Sequence, residues 1–116
     1  MRILYAENHA IFAEQVCGRF LSDHSVTVLA SVAAATQALS AQPFDLLIVD
    51  YDLDDGKGDA LVRAARGLYP GSKIIAASSH DAGNSALLQA GASAVCPKML
   101  FQNILHVIES LFSAQL

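Results

Sequence analysis

The sequence contains no tryptophan, only two cysteines and little charge, with charged residues at 16% of the chain. Two cysteines, Cys17 and Cys96, are too few for a disulfide-stabilised scaffold, and their spacing is not that of zinc ligands. No apolar run approaches the roughly 18 residues of a membrane-spanning helix. The N-terminus also lacks the apolar segment of a signal peptide. These absences predict a cytoplasmic protein without a membrane segment.

Basic residues are also scarce, with 7 Lys and Arg against 11 Asp and Glu and a formal net charge of -4. A protein that binds nucleic acid directly needs a basic surface, so we expect no such binding. Hydrophobic residues make up 53% of the chain and aromatic residues only 7%, which predicts an aliphatic core. The 116 residues suffice for one folded domain, which we expect to span residues 1–116.

Five short apolar runs alternate with segments of helical periodicity or composition. The runs cover residues 3–6, 26–30, 46–49, 74–77 and 92–96, and the helical segments cover residues 8–21, 32–41, 59–68, 81–90 and 101–112. Most runs are continuous rather than alternating, which is typical of strands buried on both faces. Strict alternation of strand and helix predicts an α/β fold, with a five-stranded parallel sheet and helices on both faces.

Polar residues follow the predicted strands, and ligands of open α/β sheets bind at the carboxyl ends of the strands. Glu7 and Asn8 follow the first strand, Asp50 and Asp52 the third, Ser78 the fourth and Lys98 the fifth. Two converging carboxylates suit Mg²⁺, which binds one or two carboxylates and keeps its other coordination positions for water or phosphate. A carboxylate, a hard cation, an ammonium group and a hydroxyl are what phosphoryl transfer to an aspartate requires.

Five of the acidic residues fall within residues 50–59. Asp54, Asp55 and Asp59 are interpreted as a solvated loop and helix start, where Asp55 or Asp59 would favour the N-terminus of the third helix through its dipole. Asp50 differs because it ends an apolar run, which places its carboxylate at the end of a central strand.

Together these features resemble a response-regulator receiver domain of two-component signal transduction, over the whole chain. The resemblance is carried by Glu7, residues 44–50 with the loop to Gly58, residues 74–78, Gly91-Ala92 and Lys98. It implies a doubly wound (βα)5 fold with the flavodoxin-like strand order 2-1-3-4-5. It also implies that Asp50 accepts a phosphoryl group from a phosphohistidine donor, in a phosphorelay or a simple two-component system.

The same resemblance assigns roles to the other polar residues. Mg²⁺ would be held by Glu7, Asp50 and the backbone carbonyl of Asp52, while Ser78 would be the switch hydroxyl and Lys98 the lysine of the family. The protein would not be an enzyme beyond its own phosphorylation and autodephosphorylation.

The implied partners are a histidine kinase or a histidine phosphotransfer protein, together with an output target that the sequence does not identify. Between Asp81 and Glu109 the sole charged residue is Lys98, when His106 is counted as neutral. We therefore expect the surface of the fourth helix, fifth strand and fifth helix to favour association, including a homodimer.

Several residues depart from the family pattern. Asn8 stands where a second acid is usual, and its role is either helix N-cap or water-mediated contact with the metal. Val95 replaces the usual aromatic switch residue, and Met99 replaces the proline that usually follows the lysine. These departures keep open a second hypothesis, a degenerate pseudo-receiver that acts as a phosphorylation-independent protein-interaction module.

Two other classes are disfavoured. Asp50-Tyr51-Asp52 matches the Asp-x-Asp motif of haloacid-dehalogenase-like phosphatases, but those enzymes carry it on their first strand rather than the third. A flavodoxin-like electron carrier would need a phosphate-binding loop rich in Gly, Ser and Thr after the first strand, and none follows residues 3–6.

Overall fold

Five parallel strands form the centre of the molecule. The computed structural model describes residues 1–113. The strands are β1 (Arg2–Ala6), β2 (Ser25–Leu29), β3 (Leu46–Val49), β4 (Asp52–Leu53), β5 (Gly56–Lys57), β6 (Lys73–Ala76) and β7 (Ala94–Val95). The main sheet has the order β2-β1-β3-β6-β7, and β4 pairs with β5 in a separate antiparallel hairpin. This confirms the predicted order 2-1-3-4-5, with β6 and β7 as the fourth and fifth strands.

Helices cover both faces of the sheet, as predicted. They are α1 (Ala10–Phe20), α2 (Val32–Ala41), α3 (Gly58–Leu68), α4 (Asp81–Ala90) and α5 (Ile104–Ser113), with a 3-10 helix at Lys98–Asn103 before α5. Ile3 and Tyr5 of β1 belong to the core beneath α1 and α5, whereas Leu4 and Ala6 belong to the core beneath α2, α3 and α4. Alternate residues of one apolar run thus serve two cores, which explains why the run is continuous.

The predicted and observed elements differ mainly at the carboxyl-terminal side. The fifth strand is shorter than residues 92–96. At its start the Ser93 hydroxyl, rather than a main-chain carbonyl, accepts the Ile74 N–H at 3.0 Å. The last helical segment starts as a 3-10 helix, since Leu100 has non-helical backbone angles. Within residues 1–113, no helix is both long and apolar enough to cross a membrane. Residues 114–116 of the predicted domain lie outside the described residues.

Asp55 stabilises a different helix from the one predicted. Its carboxylate accepts the backbone N–H groups of Val32 at 2.6 Å and Ala33 at 3.0 Å, at the start of α2. These donors lower the pKa of Asp55. Asp59 does lie in the first turn of α3, as predicted, and pairs with Arg63 at 2.6 Å. Local sequence places both acids near the start of α3, but the β4–β5 hairpin carries Asp55 across to α2.

Candidate functional site

The ends of two central strands place Glu7 beside Asp50. Ala6 of β1 and Val49 of β3 are paired in the sheet, and Glu7 and Asp50 follow them directly. Both acids are buried, with exposed fractions of 1% and 5%. Two carboxylates this close and this shielded from water repel each other unless a cation compensates their charge.

Lys98 is that cation. Its Nζ lies 2.8 Å from Glu7 Oε1 and 3.6 Å from Asp50 Oδ2. The ammonium also lies 4.9 Å from the centre of the Phe12 ring, a cation–π contact contributed by α1. Lys98 reaches the cluster because it begins the 3-10 helix that follows β7. The fifth strand therefore delivers a positive charge to the ends of β1 and β3.

Main-chain donors orient the two carboxylates. The His9 N–H donates to Glu7 Oε2 at 3.0 Å, and the Tyr51 N–H donates to Asp50 Oδ1 at 2.8 Å. The buried Tyr5 hydroxyl donates a longer bond to Glu7 Oε1 at 3.5 Å. Asp50 thus has one oxygen bound by the main chain and the other, Oδ2, facing the ammonium group.

The environment of Asp50 disfavours its charged form. The pKa of Asp50 is raised to about 6, first by burial and then by the negative charge of Glu7, while Lys98 and the Tyr51 N–H act in the opposite direction. The ordinary value is 3.8. Near neutral pH the carboxylate is therefore ionised, and its charge lowers the stability of the folded protein.

We expect Asp50→Asn to stabilise the protein at pH 7 in metal-free buffer by on the order of 2 kcal/mol. A raised pKa means that the folded state binds the proton more tightly, so the stability of the parent protein falls as pH rises from about 4 to about 6. The gain should therefore vanish below about pH 4. Urea unfolding at pH 3.5 and 7 measures it, with the exposed Asp54→Asn as control. Equal stability of Asp50→Asn and the parent at pH 7 would contradict this account.

Ser78 lies two residues beyond the end of β6 and is buried. Its Oγ accepts the His80 N–H at 3.2 Å, so the hydroxyl hydrogen remains free to donate. The backbone N–H of Lys98 donates to the Ser78 carbonyl at 3.1 Å, which joins the fourth and fifth strand ends. The side chain of Asn84, which sequence reasoning missed, binds the main chain of Ser78. The signal in the sequence was an asparagine, a poor helix former, within the first turns of α4.

Asn8 does not cap α1, so that alternative was wrong. The N-cap residue is His9, and no side chain caps this helix end. The Glu7 carboxylate instead accepts the His9 N–H. The Asn8 Oδ1 atom is buried and has no hydrogen-bond partner. A buried oxygen without a donor, next to Glu7, fits a cation or a water molecule bound to one.

Asp52 lies outside the buried cluster. Its carboxylate pairs with Lys57 across the β4–β5 hairpin, and both side chains are more than half exposed. Its backbone carbonyl is left as the group predicted to contact a metal. Within the described part of the chain, no three His, Cys, Asp or Glu side chains form a metal-ligand cluster. Mg²⁺ nevertheless suits this site, since it usually takes one or two carboxylates and keeps several waters.

Gly58 allows the loop after Asp50 to close tightly. A Cβ atom on Gly58 would lie 2.0 Å from the carbonyl oxygen of Asp50 and 2.9 Å from Cγ1 of Val49. The Gly58 N–H also donates to the carbonyl of Tyr51 at 2.6 Å. The absence of a side chain at this position therefore sets the path of the backbone that carries Asp50.

Solved structures share this architecture. A CheY-like receiver domain protein from Methanospirillum hungatei is 23% identical, with a TM-score of 0.87 over 98% of this chain and 94% of that one. The receiver domain of a Pseudomonas aeruginosa sensor histidine kinase, with magnesium coordinated in its active-site cleft, is 20% identical, with a TM-score of 0.85 over 94% of each chain. A Burkholderia pseudomallei response regulator with a phosphorylated aspartic acid and calcium is 20% identical, with a TM-score of 0.78 over 90% of this chain and 64% of that one.

At these identities the structural likeness establishes the fold. No curated protein sequence matches the chain significantly. The family model of the response regulator receiver domain matches residues 3–109, which include the strand-end residues Glu7, Asp50, Ser78 and Lys98. The chain therefore belongs to the response regulator receiver domain family of two-component signalling.

Proposed function

We propose that the protein accepts a phosphoryl group on Asp50 from a phosphohistidine of a histidine kinase or histidine phosphotransfer protein. The observation that carries this proposal is the Asp50 carboxylate, buried at the end of β3 between Glu7 and Lys98. The raised pKa of Asp50 also makes its oxygen a better nucleophile than that of an ordinary carboxylate, while leaving it ionised at neutral pH.

In the proposed reaction, an Asp50 carboxylate oxygen attacks the phosphorus atom of the phosphohistidine. A phosphorus–oxygen bond forms and the phosphorus–nitrogen bond breaks, and its electron pair returns to the imidazole, which takes a proton from water. The transferring group carries charge on three equatorial oxygens. The Lys98 ammonium and the Ser78 hydroxyl are the groups of this chain available to bind two of them.

Mg²⁺ fits the oxygen donors at this end of the sheet. The residues that would hold it are Glu7, Asp50 and the backbone carbonyl of Asp52, with the unpartnered Asn8 Oδ1 reaching it through water. When bound, the ion neutralises charge on the phosphoryl oxygens. The magnesium of the Pseudomonas aeruginosa receiver domain and the phosphorylated aspartic acid of the Burkholderia pseudomallei regulator support this assignment.

Intact-mass spectrometry with a small phosphodonor such as acetyl phosphate tests the proposal. We expect a gain of one phosphoryl group that requires Mg²⁺ and is absent in Asp50→Asn. The same measurement with a phosphorylated histidine phosphotransfer domain tests the proposed donor. No gain with either donor would overturn the proposal, provided that the protein is folded by circular dichroism.

We expect Asn8→Asp to bind Mg²⁺ about tenfold more tightly, because it adds a carboxylate beside Glu7. The same change should destabilise the metal-free protein through repulsion among three acids. Isothermal titration calorimetry gives the affinity. Asn103→Asp adds the same charge at an exposed position of the 3-10 helix and should leave it unchanged. An equal gain in both variants would mean that Asn8 does not face the metal.

The second candidate function is a phosphorylation-independent interaction module. Val95, on the edge strand β7, is the residue that favours it, since no aromatic ring is present there to change rotamer. In that case the weakly charged surface of α4, β7 and α5 would bind a partner or a second copy of the chain. Analytical ultracentrifugation with and without a phosphoryl analogue tests the homodimer, and a monomer under both conditions would exclude it.

A further inference from the structure

One buried polar side chain lies outside the acidic cluster of the candidate site. Among the described residues, four polar or charged side chains are buried: Glu7, Asp50, Ser78 and Asn84. The first three form the proposed phosphorylation site. Asn84 lies on α4 with an exposed fraction of 6% and does not contact the acidic residues through any hydrogen bond.

The amide of Asn84 binds both main-chain groups of Ser78. Its Oδ1 accepts the Ser78 N–H at 2.8 Å, and its Nδ2 donates to the Ser78 carbonyl at 3.1 Å. A primary amide can satisfy one donor and one acceptor of the same residue at once, whereas an apolar side chain would leave the Ser78 N–H buried without a partner. Asn84 is itself held by α4, where its backbone N–H donates to the His80 carbonyl at 3.1 Å.

The first turn of α4 also packs directly against the Ser78 hydroxyl. A Cβ atom at Gly83 would lie 2.5 Å from Ser78 Oγ and 3.0 Å from Cβ of Tyr51. At Gly83 the backbone of α4 therefore packs directly on the Ser78 hydroxyl. A shift of Ser78 must either move this turn or break both bonds to Asn84.

We propose that Asn84 is a positioning residue that couples the Ser78 hydroxyl to α4, so that movement of Ser78 toward a phosphoryl group on Asp50 displaces this helix. This inference rests on the proposed function of Asp50. It assigns the transmission of the Ser78 movement to a buried amide in the first turn of α4. The chain has Val95 in place of an aromatic switch residue. The response would then appear on the exposed side of α4, which includes Leu88.

Amide chemical shifts of isotope-labelled protein test the coupling, with beryllium trifluoride and Mg²⁺ as the phosphoryl analogue. In the parent protein we expect shifts at Tyr51, at Ser78 and along α4. Asn84→Val keeps a similar volume without the amide, and it should keep the Tyr51 shift but lose most of the α4 shift. Asn84→Asp keeps only the acceptor for the Ser78 N–H, and it should give an intermediate response and carry the test if Asn84→Val does not fold.

Leu87→Val is the matched control, since Leu87 is buried on the same helix but makes no hydrogen bond to Ser78. It should keep the full α4 response. An α4 response in Asn84→Val equal to that of the parent would overturn the proposal, as would an equal loss in Leu87→Val.

Hydrogen exchange separates failure of this inference from failure of the proposed function. If the analogue produces no shift at Tyr51 of the parent, the proposed function fails. The coupling still predicts that the Ser78 amide and the α4 amides of the parent exchange through one common opening. In Asn84→Val the Ser78 amide should exchange about tenfold faster than those of α4. Independent exchange of Ser78 in the parent would overturn the coupling.

Discussion

Replacing Lys98 with methionine is expected to destabilise the protein by about 3–5 kcal/mol at pH 8. Methionine keeps the length of the side chain but removes the ammonium group that lies 2.8 Å from Glu7 and 3.6 Å from Asp50. Both acids are then left buried without a counter-charge. Because the Lys98 ammonium lowers the pKa of Asp50, that pKa would rise without it. Protonation of Asp50 would then relieve the repulsion at lower pH, so the loss should be smaller at pH 5 than at pH 8.

Urea unfolding at the two pH values measures this loss of stability. Two further variants serve as a control and as a rescue. Lys57→Met removes an exposed lysine paired with an exposed acid, Asp52, and should change the stability little. The double variant Glu7→Gln/Lys98→Met removes one of the two unpaired charges and should recover much of the stability. A Lys98→Met variant as stable as Lys57→Met at pH 8 would refute the assignment of Lys98 as the compensating cation.

The same substitution should slow phosphorylation of Asp50 by about 100-fold or more, if Lys98 binds the transferring group as proposed. The rate of mass gain with a small phosphodonor at saturating Mg²⁺ measures this effect. Asp50→Asn, in contrast, is expected to gain stability and to lose phosphorylation. The free energy of unfolding therefore reports the cost of the cluster to folding, and the phosphorylation rate reports its chemical role. A Lys98→Met variant phosphorylated at the parental rate would remove Lys98 from the proposed reaction.

Gly58→Ala is expected to cost about 3 kcal/mol or more. The new methyl group would lie 2.0 Å from the carbonyl oxygen of Asp50, and main chain cannot yield as a flexible side chain would. The start of α3 would have to move away from the end of β3. We therefore also expect phosphorylation to slow, because the displaced backbone carries the Asp50 carboxylate.

Gly67→Ala is the control on the same helix, since nothing lies within 4 Å of a Cβ atom at Gly67. Alanine restricts the unfolded chain and favours the helix, so this variant should gain up to about 1 kcal/mol. Thermal or urea unfolding of the two variants in parallel gives the comparison. Similar stability changes in both would show that the loop after Asp50 is looser than its backbone contacts indicate.

The fold could be predicted from the sequence because each apolar run supplies two cores. Ile3 and Tyr5 face one layer of helices and Leu4 and Ala6 the other, so a run of four apolar residues predicts a strand covered on both sides. Alternation with helical segments then leaves few topologies. The hairpin of β4 and β5 was missed because each strand has only two residues, too few to produce a hydrophobic period.

The candidate site was predictable to the extent that its residues end strands. Glu7, Asp50, Ser78 and Lys98 each follow an apolar run, and parallel strands bring such residues to one edge of the sheet. Residues that act through contacts between elements could not be found this way. The bond from Asn84 to Ser78 depends on where α4 lies against β6, which no local pattern encodes.

The bond from Asp55 to the start of α2 has a consequence for the length of the loop that carries it. Exposed turns ordinarily accept inserted residues without loss of stability. Here the turn between β4 and β5 delivers its carboxylate to Val32 and Ala33, more than twenty positions earlier in the chain. A single residue inserted before Asp55 would withdraw this acceptor and expose two amide groups of a distant helix. The length of this surface turn is therefore constrained by a helix to which it is not adjacent in sequence.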